Sequence, residues 1–66
     1  MTKTKLLLQF TTLLENSEIA GCARIYWDWA YMYKTELERI LATNPTGRSR
    51  VKDAILEMSG DYTDQI

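Results

Sequence analysis

Sixty-six residues suffice for one domain and no more, and a domain of that size buries only about 60% of the surface its unfolded chain exposes. Eight basic and nine acidic side chains, a formal net charge of −1, exclude the chain-wide cationic surface of a general nucleic-acid or anionic-membrane binder, though local patches can still act. A single cysteine, Cys22, and no histidine exclude an intramolecular disulfide and a structural zinc site, so tight helix packing or self-association must supply the missing stability.

The opening stretch, MTKTKLLLQF, places lysines before apolar residues as a signal peptide would. Gln9, Thr11, Thr12 and Glu15 interrupt the apolar run, and no small-residue cleavage site comes after it. No run approaches the roughly 20 apolar residues of a membrane span. The expectation is a reduced, cytoplasmic setting with no membrane contact.

From Lys5 to Glu15, Leu6, Phe10, Leu13 and Leu14 recur at the helical period. Thr2 or Thr4 can cap the start, and Asn16 and Ser17 break the pattern and offer a cap to the second helix. That second segment, Ser17 to about Thr43, lines one face with Ile19, Cys22, Tyr26, Trp29, Tyr33, Leu37 and Ile40. Glu36 is placed to support the next turn through Arg39. Gly21, between Ala20 and Ala23, either admits a close neighbour or breaks the helix. Asn44-Pro45-Thr46-Gly47 reads as a turn, because proline disfavours helix before it and suits the first turn after it. A third helix then runs from Pro45 or Arg48 to about Ser59 with Val51, Ala54, Ile55 and Met58 inward, and Gly60 stops it.

The expected fold is therefore all-α, a small three-helix arrangement with a long central helix, compatible with a homodimeric helical bundle. Residues 1–60 form the single helical domain, and 61–66 a polar, frayed tail.

The usual general base and metal ligand is missing without histidine. Cys22 lies on the apolar face, where a thiol is inert. Gly21, Gly47 and Gly60 stand apart, so no phosphate loop exists. The chain is expected to be no enzyme and to use no cofactor or metal.

Two features exceed a plain structural reading. In the block IYWDWAYMY, Tyr26, Trp29 and Tyr33 join the core face, whereas Trp27 and Tyr31 fall nearly opposite it with Ala20, Ala23 and Lys34. Either the flanking helices sandwich the central one and cover these rings, or Trp27, Tyr31, Lys34 and Ala23 form an exposed protein-binding patch. The second feature is the basic run Arg48, Arg50 and Lys52 at a helix start, where the macrodipole disfavours cations. It is either a solvated face or a contact for an anion or an acidic partner. Leu8 and Leu56, off their own apolar stripes, add surface that favours self-association.

The sequence thus points to a small non-catalytic protein that binds another protein, as steric inhibitor or adaptor of a larger machine, and that forms a homodimer. The likeness to small acidic helical products of phages and mobile elements is one of size and composition alone. Two alternatives stay open. One is a helix-turn-helix-like nucleic-acid-binding regulator using Arg48 to Lys52, which Asp53, Glu57 and the acidic balance disfavour. The other is a structural subunit or assembly factor.

Overall fold

A computed structural model describes residues 2–59, and among them there are three helices and no strand: α1 (Lys3–Glu15), α2 (Ile19–Ala42) and α3 (Pro45–Ser59). The expected stop at Gly60 and the tail 61–66 lie outside the described residues.

Local chemistry explains the helix ends. Thr2 is extended, and its hydroxyl accepts the Lys5 N–H at 3.3 Å, satisfying one orphan donor of α1. At the other end the Glu18 N–H donates to the Leu13 carbonyl at 2.8 Å and the Ser17 N–H to that of Leu14 at 3.1 Å. This is a Schellman motif with Ser17 in the left-handed position at φ 59°. Asn16 and Ser17 are therefore spent on terminating α1. They do not cap α2, whose N-cap, Glu18, makes no side-chain capping bond. The turn at Asn44 is a helix start: its Oδ1 accepts the Gly47 N–H at 3.0 Å, and Pro45 occupies the first helical position, where its missing N–H costs nothing.

The central helix does not run straight. Gly21 is helical and admits α1, since a Cβ there would lie 3.1 Å from Leu13 Cδ1. The bend comes at Tyr33, whose φ −122° and ψ 30° leave the helical region. Tyr26 and Glu38, twelve residues apart, would stand about 18 Å apart along a straight helix, further than the two side chains reach together. Yet the Tyr26 hydroxyl donates to the Glu38 carboxylate. α2 thus forms two arms, 19–32 and 34–42, folded toward each other about an elbow.

That elbow gathers the core. Phe10 and Leu14 of α1, Cys22 and Ala23 of the first arm, Leu37 and Leu41 of the second, and Val51 of α3 form one buried cluster. Leu13, Ile19, Tyr26, Trp29, Tyr33, Ile40, Ala54 and Ile55 pack around it, half-buried. The expected helical stripes all reach this core except at Met58, which is exposed. α3 packs chiefly on α2, and its core residues Val51, Ala54 and Ile55 end one turn before its last residue, so Met58 lies beyond the cluster. Gly47 is buried where α3 crosses α1: a Cβ there would lie 2.8 Å from Leu14 Cδ1.

Two glycine-related substitutions should move stability in opposite directions. Ser17→Gly removes the left-handed penalty of an L residue, about 1–2 kcal/mol, and is expected to raise the melting temperature by about 4–16 °C. Gly47→Ala improves helix propensity by about 1 kcal/mol but pushes into Leu14 at a cost of about 1–3 kcal/mol, which is expected to leave a net loss of up to about 2 kcal/mol. Thermal and urea unfolding followed by circular dichroism checks both signs.

Candidate interaction surface

The first arm of α2 buries one side and leaves the other bare. Ala20, Arg24, Trp27 and Tyr31 follow steps of four, three and four, the spacing of a single helical stripe, and all four are exposed, as is Lys34 just past the bend. Trp27 is 49% exposed and Tyr31 80%. The flanking helices do not cover these rings, because the folded arms place α1 and α3 on the opposite side, around Cys22 and Tyr26. An Arg24–Asp28 ion pair at 3.3 Å, exposed at both ends, flanks Trp27. Pairs of this kind contribute little to stability.

One member of the expected patch is not on it. Ala23 is fully buried. It sits at the border between the two faces and belongs to the buried cluster shared with α1, the second arm and α3. Met32, which sequence reasoning missed, is 53% exposed beside Tyr31. On a helical wheel it falls between the two faces, so periodicity alone leaves its environment open.

The basic run is divided by the fold. Lys52 turns inward: its Nζ lies 2.6 Å from Glu38 Oε2 and 3.3 Å from the Tyr26 hydroxyl, and 4.7 Å from the centre of the Tyr26 ring. Arg48 Nε stands 3.8 Å from the other Glu38 oxygen. Arg50 alone is exposed with no ion pair among the described residues. The three cations therefore do not form one free surface, and a ligand would compete with Glu38 for two of them.

Tyr26, Glu38 and Lys52 make a clasp that ties both arms of α2 to α3. The hydrogen bond from Lys52, and then that from Tyr26, hold the Glu38 carboxyl below its ordinary value. Burial works against the Lys52 ammonium, but its bonds to Glu38 and Tyr26 outweigh this and the net shift is upward. Burial first, then the Glu38 carboxylate, pushes the Tyr26 phenol up. At neutral pH the clasp is thus a carboxylate held by an ammonium and a phenolic O–H, a charge-assisted arrangement. No sequence signal marks the Tyr26–Glu38 contact, since only the bend brings the two within reach. A second tie, Lys3 to Glu36 at 2.8 Å, joins α1 to the second arm. Glu36 is thereby engaged across helices, and the Arg39 charge on its own helix adds a smaller effect of the same sign.

Cys22 is buried, its Sγ 3.8 Å from the Phe10 carbonyl, and burial, then the Glu18 charge, pushes its thiol up to about 11. The described residues form no pocket and no group of three or more His, Cys, Asp or Glu able to hold a metal. What the fold presents is an outer surface.

The clasp has a definite pH signature. Glu38 has a lowered folded-state pKa, so its contribution is present above the ordinary carboxylate range and is lost as pH falls through the lowered value. Lys52 and Tyr26 are shifted up, so theirs is present below their ordinary values near 10 and is lost as pH rises through the raised ones. Urea midpoints are expected to fall on both sides of a neutral plateau, and Glu38→Gln should lower the plateau and flatten its acid side. An acid side unchanged by Glu38→Gln would remove the clasp from this role.

Comparison of the chain with protein-family models, with curated proteins and with solved structures finds no match.

Proposed function

We propose that this chain is a small non-catalytic protein-interaction module that acts as steric inhibitor or adaptor, with Trp27 and Tyr31 as its anchors. The observation that carries the reading is their exposure. Phe10 is buried and Tyr26, Trp29 and Tyr33 pack on the core, while Trp27 and Tyr31 stand on the outer stripe of the same helix. Trp and Tyr combine large apolar area with a polar handle and dominate binding hot spots. Lys34 beside them, with no ion pair among the described residues, supplies a charged rim.

The lack of histidine and the raised thiol of Cys22 support a role without catalysis. The single cysteine supports a reduced, cytoplasmic setting. Among the described residues no helix is long and apolar enough to cross a membrane. A nucleic-acid role through the basic run draws less support, because Lys52 and Arg48 face Glu38. Self-association belongs to the same reading, since a second copy is one partner such a stripe can take.

Trp27→Ala with Tyr31→Ala should leave the helical circular dichroism and urea midpoint nearly unchanged, as both rings are exposed. The same pair should weaken the chain's specific complexes tenfold or more. Affinity capture with the wild type and the double variant in parallel checks this. Complexes that survive the double variant intact would sink the reading.

A further inference from the structure

We draw no further inference here: the strongest candidate, the exposed aromatic stripe of Trp27 and Tyr31 on the outer side of the first arm of α2, belongs to the surface already described, and nothing in the structure shows what covers it.

Discussion

The structure depends on one contact made across a bend: the Glu38 carboxylate, held by the Tyr26 hydroxyl and the Lys52 ammonium. A chain this short has little apolar surface to spend, and three rods of unequal length pack poorly. Folding the longest helix on itself solves this, because both arms then share a single core with α1 and α3. Removing a buried side chain such as Phe10 from that core would cost about 3–5 kcal/mol. That is comparable with the whole stability expected of such a chain, on the order of 0.05–0.15 kcal/mol per residue. The clasp adds a different quality. Hydrophobic burial is non-directional, whereas a carboxylate facing an ammonium and a phenol on fixed helices specifies one arrangement of the arms.

The same bend decides which surface is left over. With α1 and α3 drawn to the inner side of the elbow, the outer stripe of the first arm has no neighbour, and Trp27 and Tyr31 remain in solvent. A helix with apolar residues on more than one side is normally covered on more than one side. Here the second side is bare, and beside it Arg24 and Asp28 satisfy each other. Charge is distributed along similar lines. Glu36 and Glu38 are consumed by Lys3, Lys52 and Arg48 across helices, while Lys34 and Arg50 keep their charge for whatever approaches from outside. A stable inner clasp and an unpartnered outer stripe are thus two consequences of one geometry.

Much of this is legible in the residues themselves. The stripes Leu6–Phe10–Leu14 and Cys22–Leu37, with Val51 on the third helix, reach the core, as their spacing requires. Thr2 caps as a threonine before an apolar period does. The exposure of Leu8 and Leu56 off those stripes also accords with position on the wheel. Met58 and Ala23 differ because periodicity says which way a side chain points but not how far a neighbouring helix extends. Met58 is exposed past Ile55, the last α3 residue packed on the core, and Ala23 is fully buried at the border of its helix's two faces. Lys52 reads as part of a basic run until Glu38 arrives from twelve residues beyond Tyr26.

By itself the sequence determined the features that local interactions set: three helices, the cap of the first and the proline start of the third, which face of each is apolar, and the lack of histidine and paired cysteines. The helical features are fixed within a few turns of chain, by backbone hydrogen bonding, capping and side-chain period. Only the tertiary structure decided that α2 bends at Tyr33 rather than at Gly21, that Lys52 serves the interior, and that Trp27 and Tyr31 stay uncovered. Each of those outcomes rests on contacts between residues far apart in sequence, whose free energy depends on the positions of all the helices at once.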